Sequence, residues 1–141
     1  MALQGGHRFA VSMADAFPHG VYAMSVDQAM DFNEKTRART PAKDKQTGEL
    51  VWNVTCIDRD PEARAKQVVV KVTAPVMPVL PGEIAAGTDL HPVDFVSLTV
   101  TPYVDEGRGR ARLALSFRAR GVVAQGKAPG RSVPAGDGKA A

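Results

Sequence analysis

The sequence predicts an all-β domain, and three observations predict it. Aromatic residues are scarce, at 6%, while 13 glycines and 10 prolines punctuate the chain more closely than a helix bundle tolerates. Several segments alternate apolar and polar residues with a period of two, which gives an extended chain one inward and one outward face. No segment reads convincingly as a long amphipathic helix. With 141 residues and 44% hydrophobic content, the chain is long enough for one core and too short for two comfortable ones.

In chain order, residues 1–16 show no clean period and read as an N-terminal arm or edge strand. "FPHG" at 17–20 is a turn by its proline and glycine. "VYAMSVDQAMDFN" at 21–33 holds both a capping-box spacing, Ser25 with Gln28, and an extended alternation; a long, bent strand is the better reading. "EKTRARTPAKDKQTG" at 34–48 has almost no apolar side chain to bury, so it reads as a long exposed loop. "ELVWNVTCID" places Leu50, Trp52, Val54 and Cys56 on one face of a strand. "QVVVKVT" does the same with Val68, Val70 and Val72, and the two segments are joined by the charged turn "DRDPEARAK".

Pro75, Pro78, Pro81 and Pro92 deny residues 74–92 a regular helix or a central-strand position, which leaves an extended crossover. "VDFVSLTVTPYV" and "RARLALSFRARGVV" form two further strands across the hairpin connection "DEGRGR". From Gly126 the chain loses complexity, and 126–141 reads as a disordered tail. Residues 17–125 thus form one β-barrel domain. Five strands must curl to hide their edges, and the five-stranded Greek-key OB-like barrel is the commonest way to do so while leaving loops exposed; a β-sandwich or SH3-like barrel are the alternatives.

The lone Cys56 cannot form an internal disulfide and sits in an apolar run, which suits a reducing cytoplasm. The N-terminal residues lack a long apolar core behind a basic start, and no run approaches the roughly 20 apolar residues of a membrane span. A soluble, unexported protein is expected.

Catalytic patterns are absent. "GVVAQGKA" at 121–128 copies the spacing of a phosphate loop but ends in Ala128, with Pro129 and Gly130 where a helix must start. Asp58, Asp60 and Glu62 lack calcium-loop spacing and have Arg59 and Arg64 beside them, so they read as a turn with local ion pairs. His7, His19 and His91 are scattered, and neither a zinc set nor a nucleophile with its base is legible. A non-enzyme without cofactor or metal is expected.

The charge pattern carries the functional signal. The chain has a net charge of +3, but residues 35–45 and 106–120 carry +4 each, leaving −5 for the rest. Such segregation is the footprint of a polyanion-binding surface. The first cluster supplies Lys35, Arg37, Arg39, Lys43 and Lys45; the second supplies Arg108, Arg110, Arg112, Arg118 and Arg120. In "GRGRARLALSFRARG" the arginines at 110, 112, 118 and 120 share one parity, with Ala111, Leu113, Leu115 and Phe117 on the other. That predicts an arginine stripe roughly 33 Å long over an apolar underside. Guanidinium groups pair with phosphates and stack on bases, and in an OB-like barrel the loop between the first two strands flanks the same groove. Lys71, on the outward parity of its strand, joins the candidate set. Trp52, Phe95 and Phe117 fall on apolar faces and read as core, which leaves Tyr22, Phe32 and Tyr103 as free aromatics with no assigned facing.

The phrases "FPHGVYAMSV" (17–26), "DFN" (31–33), "KDKQTGELVWNVTCIDRDPEARAKQVVVKVTAPVMPVLP" (43–81) and "VDFVSLTVTPYV" (93–104), followed by the arginine-rich strand, carry a resemblance. Over residues 15–122 the chain resembles the plasmid replication, integration and excision activators of actinobacterial mobile elements. Its layout is more distantly similar to the OB-fold single-stranded DNA-binding proteins of phages and conjugative elements. The resemblance implies a role in replication, excision or transfer of a plasmid or integrative element, and it brings no catalytic residues with it. Together these readings predict a non-catalytic, cytoplasmic accessory protein that binds single-stranded DNA. A homodimer and a replication or transfer protein are further expected partners. The alternative is a protein-interaction module or regulator, docking through the proline-rich crossover and tail, that does not touch DNA. No helix-turn-helix pattern supports operator reading.

Overall fold

The computed structural model describes residues 8–63, 65–107 and 109–127. Its elements are β1 (Phe9–Ala10), α1 (Met13–Ala16), β2 (Val21–Gln28), β3 (Met30–Asn33), β4 (Ala38–Pro41), β5 (Val51–Asp58), β6 (Gln67–Thr73), β7 (His91–Val96), β8 (Thr99–Asp105), β9 (Arg112–Ala119) and β10 (Gly121–Ala124). The all-β class holds, but the described residues build ten strands in two sheets rather than a single five-stranded barrel.

The difference arises from interruptions. The 21–33 run is cut at Ala29, whose N–H donates to Val51 and whose carbonyl accepts from Ala42, so the chain leaves the main sheet there. The 93–104 run is cut at Ser97, which adopts a φ of 53°, a left-handed conformation that no regular strand accommodates. The arginine-rich run is cut at Arg120, whose N–H donates to Val96 at 2.8 Å as the chain turns from β9 into β10. Only β5 and β6 survive as uninterrupted predicted strands.

The large sheet has the order β1-β8-β9-β6-β5-β2-β7-β10. All neighbours are antiparallel except β6 and β9, which run parallel over the three pairs Val70–Phe117, Lys71–Arg118 and Val72–Ala119. β7 and β8 lie toward opposite ends of this order yet are joined only by Ser97 and Leu98, so the sheet curls into a half-barrel. Pro92 lies inside β7, against the expectation that it would exclude a strand. It is tolerated because its carbonyl points past the last β10 pair toward the Gln125 N–H, where the N–H that proline lacks has no ladder partner to lose.

Inside the curl, Val21, Ala23, Val54, Cys56, Val70, Val72 and Val93 are fully buried, with Phe95 and Leu98 beside them. Each fully buried valine contributes about 1.5 kcal/mol relative to exposure, and β-branched side chains suit the pleated surface that holds them. The half-barrel is closed below by α1, whose N-cap Ser12 accepts the Asp15 N–H at 3.0 Å. This turn inserts Met13 and Phe17 into the core, and the Phe17 ring meets Phe117 at 5.1 Å. Trp52 faces inward and donates its indole N–H to Ala74 at 3.0 Å, tying down the start of the 74–90 crossover. The crossover itself has neither helix nor strand and exposes Val76, Met77, Val79 and Ile84.

Residues 34–48, expected as an open loop, contribute their first eight residues to a two-stranded second sheet, as the turn 34–37 and the strand β4. β3 and β4 pair over four residues around a turn at 34–37, and every residue of both strands is exposed. The turn closes because Asn33 Oδ1 accepts the N–H groups of Lys35 and Thr36, and because Arg37 adopts a φ of 57°. The result is a ribbon arm projecting from the β2 to β5 connection.

Candidate nucleic-acid interface

Strand alternation decides which side chains share the outer face of the large sheet. On β5, β6 and β9 the register sets Asn53 beside Lys71 and Lys71 beside Arg118. On β8 and β9 it sets Tyr103 opposite Ala114, Thr101 opposite Ser116, and Asp105 opposite Arg112. Lys71, Arg118, Arg112 and Tyr103 therefore lie on one face. Small Ala114 and Ser116 separate the two arginines, so an approaching ribose or base can reach the sheet between them. Tyr103 is 45% exposed, which supplies an aromatic on the same side as the cations.

Two clefts mark this face. The first, of about 550 Å³, lies where the arm joins the sheet and takes Arg8, Lys43, Lys45, Lys71 and Arg118 among its walls. Asn53 forms part of its floor with its Oδ1 shielded and unpartnered. A buried carbonyl left so costs about 1–3 kcal/mol. The second cleft, of about 1100 Å³, opens where β6 and β9 diverge beyond Val70 and Phe117. Tyr103, Arg112, Ser116 and Gln67 line it from this face and Val68, Leu113 and Leu115 from the other, and Lys71 borders both clefts.

Acidic groups interrupt this basic surface: Asp105 lies opposite Arg112, Asp31 lines the first cleft, and Asp44 pairs with Arg118. Asp44, only 10% exposed at its side chain, lies 3.5 Å from the Arg118 guanidinium. Its carboxylate also accepts the N–H groups of Thr47 at 2.9 Å and Gln46 at 3.2 Å. The Thr47 N–H, with the Thr47 side chain, the Gln46 N–H and the charge of Arg118, holds its pKa below the ordinary aspartate value despite some desolvation.

The eleven predicted cations are not gathered into one stripe. Lys71, Arg112 and Arg118 share the outer face, and Lys43 and Lys45 reach the first cleft. Arg39 lies on the arm directly opposite Phe32, which is 54% exposed, while Lys35 and Arg37 occupy the arm's turn. Arg110 precedes β9 and Arg120 follows it, so the expected 33 Å stripe is shortened to the span of β9, and Arg120 instead borders a smaller cleft with Arg8 and Thr47. Arg108 lies outside the described residues, as does the expected tail from Ala128 onward. The apolar underside also differs from expectation: Phe117 packs on the core, but Ala111, Leu113 and Leu115 are exposed. Arg8 is the contributor that sequence reasoning missed. It sits in a segment with no period, and nothing local announces that β1 will pin it beside Arg118.

The remaining candidates resolve simply. Trp52 and Phe95 are core. Tyr22 is half-buried under the Arg59 guanidinium, 4.7 Å from the ring centre, and Arg64, the other arginine expected beside these carboxylates, lies outside the described residues. Asp58 and Asp60 accept backbone N–H groups of their own turn. "GVVA" is strand β10. Among the described residues Glu83, Asp89 and His91 form the one group whose ligand atoms fall within 4.8 Å of one another. Both Glu83 oxygens already accept N–H groups, from Asp89 and Gly87, which lower its pKa. Among the described residues no helix is long and apolar enough to cross a membrane.

Comparison of the chain with protein-family models, with curated proteins and with solved structures finds no match.

Proposed function

We propose that the protein is a non-catalytic, single-stranded DNA-binding accessory factor of the cytoplasm, working in replication, excision or transfer of a mobile element. The observation that carries the proposal is the common facing of Lys71, Arg112, Arg118 and Tyr103 beside a cleft that also collects Lys43, Lys45 and Arg8. Cations tracking a backbone beside an aromatic that accepts a base is the pattern of sequence-tolerant single-strand binding. The strand succession supports an OB-like reading of the half-barrel. β2, β5 and β6 form a meander, β6 lies parallel to β9, and β7 returns beside β2. In that reading the β3–β4 arm is the loop between the first two strands, which flanks the groove in such barrels. The mobile-element role rests on the sequence resemblance alone.

Fluorescence anisotropy of a labelled oligonucleotide at two salt concentrations tests the proposal. Binding is expected at low salt, weakening with added salt by about 0.7 in log–log slope for each phosphate contact. Changing Tyr103 to Ala is expected to cost about 1–3 kcal/mol of affinity. Wild-type protein that binds no oligonucleotide at low salt sinks the proposal, as does binding indifferent to Arg112→Ala combined with Arg118→Ala.

A second reading has its own observation: Val76, at 71% exposed, and Val79, at 86%, stand out on the proline-rich crossover. A protein-interaction module would use that segment. Capture of a replication or transfer protein after nuclease treatment, with no oligonucleotide affinity, selects it.

A further inference from the structure

The second cleft is a gap in the wall of the half-barrel, and both its sides are strand edges. β6 and β9 pair from Val72–Ala119 back to Val70–Phe117 and then part, so the first halves of both strands face each other unpaired. Alternation fixes which backbone groups are left over. Asp58 donates its N–H to Lys66 and Ala74 donates to Leu50, and the β5–β6 register between them is unbroken. The even-numbered residues of β6 therefore turn to β5, while Gln67, Val69 and Lys71 turn to β9. Lys71 lies opposite Arg118, so its partners on β9 are the flanking Phe117 and Ala119, and by the same parity Leu113 and Leu115 aim their N–H and C=O into the gap. Among the described residues no strand takes these groups up. The side chains sort by face: Val68, Leu113 and Leu115 continue the core side, while Gln67, Lys71 and Arg112 stand outside, with Asp105 the one carboxylate among the described residues lining the gap.

We propose that the gap binds an extended segment of a partner protein as an added strand, its residues alternately apolar and acidic. The backbone argues for a strand. β6 and β9 run the same way, so one inserted strand meets both edges in a single orientation, and each edge offers donors and acceptors at strand spacing. From Leu113 to the apex at Phe117 the β9 edge runs roughly 13 Å, the reach of a short strand. The two faces argue for the alternation. One side of the strand covers Val68, Leu113, which is 72% exposed, and Leu115, which is 51% exposed. The other side meets Lys71, which has no ion-pair partner among the described residues. Asp105 sits across from Arg112 at the open end, so Lys71 at the apex is the cation left for an acidic side chain. The added strand lies in the plane of the sheet, whereas the DNA reading uses its outer face.

Fluorescence anisotropy of a labelled peptide of about eight residues, alternating valine with glutamate, tests this on the full chain. No nucleic acid is present, so failure here leaves the DNA reading untouched. The expected Kd is on the order of 10 μM. Three altered peptides separate strand addition from simple attraction to a basic protein. Grouping the valines and glutamates into two blocks, N-methylating alternate backbone nitrogens, and replacing glutamate by lysine should each weaken binding at least about tenfold. In the chain, Leu113→Asp with Leu115→Asp should abolish binding while circular dichroism stays unchanged, because both side chains are exposed; should that variant misfold, the altered peptides decide alone. No binding of the alternating peptide up to about 1 mM overturns the proposal. So does binding that N-methylation or blocking leaves intact, or self-association that Leu113→Asp with Leu115→Asp removes and the peptide cannot displace, which would give the gap to a second copy.

Discussion

The β5–β6 and β8–β9 hairpins are near-equals in sequence pattern and opposites in burial. Each pairs over seven rungs, and each alternates apolar with polar side chains. In β5–β6 the inward parity is covered, with Val54, Cys56, Val70 and Val72 at zero exposure. In β8–β9 the equivalent parity is covered at Val100 and Phe117 and bare at Val104, Leu113 and Leu115. Alternation states which side chains share a face; whether that face lies over a core depends on what the rest of the chain stacks against it.

The largest expected contrast is chemical. Cys56 has no exposed surface, and burial pushes its thiol up to about 12. Since the thiolate is the reactive form, alkylation near neutral pH must await opening of the β5–β6 region. With an unfolding free energy of at least about 5 kcal/mol, labelling should run more than about a thousandfold slower than in the denatured chain. A cysteine placed at Leu113 should react at nearly the denatured rate. Comparable rates at the two positions would show that the half-barrel opens readily and that the contrast between hairpins is shallow.

Truncation sharpens the comparison on a smaller scale. Val70→Ala removes two buried methyl groups and should cost about 2 kcal/mol in urea denaturation, from lost transfer energy plus the cavity left behind. Leu113→Ala removes more carbon from an exposed site and should change monomer stability by no more than about 0.5 kcal/mol. Equal losses in dilute monomer would mean that the ribbon folds back onto the core in solution.

This contrast also explains what was legible in advance. The outward parity of Lys71 on β6 and the shared parity of Arg112 and Arg118 on β9 follow from alternation alone; that the two strands lie side by side and unite these cations on one face does not. The breaks were invisible because they depend on partners distant in sequence. Ser97 takes a left-handed conformation, and the N–H of Arg120 is drawn to Val96, for reasons no local window contains. The β3–β4 arm was missed because it buries nothing, so hydrophobic periodicity has no purchase on it. Its one local signal is Asn33, whose side chain caps the turn at Lys35 and Thr36. Tyr103 was named as a free aromatic without a facing; its rung with Ala114 assigns one, because that rung shares parity with Arg112.

The smallest expected effect concerns an ion pair that joins the arm's base to β9. Asp44 holds Arg118 at 3.5 Å on the first cleft, where Arg8, Lys43, Lys45 and Lys71 also gather. Its pKa is lowered on folding, chiefly by the Thr47 N–H. The stability that its charge contributes is therefore present above the unfolded value and lost as pH falls through the lower folded one. At neutral pH it is charged and competes with any phosphate for Arg118. Asp44→Asn should keep the turn, since the amide oxygen still accepts from Gln46 and Thr47, while releasing the guanidinium. Oligonucleotide affinity at low salt should then rise about threefold, in line with what a partly exposed pair is worth, and the salt dependence should steepen by about 0.7 as one more phosphate is engaged. Tighter binding with an unchanged slope would mean that the change acts through net charge at a distance rather than by freeing Arg118. Weaker binding would reverse the relation, with Asp44 holding Arg118 in place for the phosphate instead of competing with it.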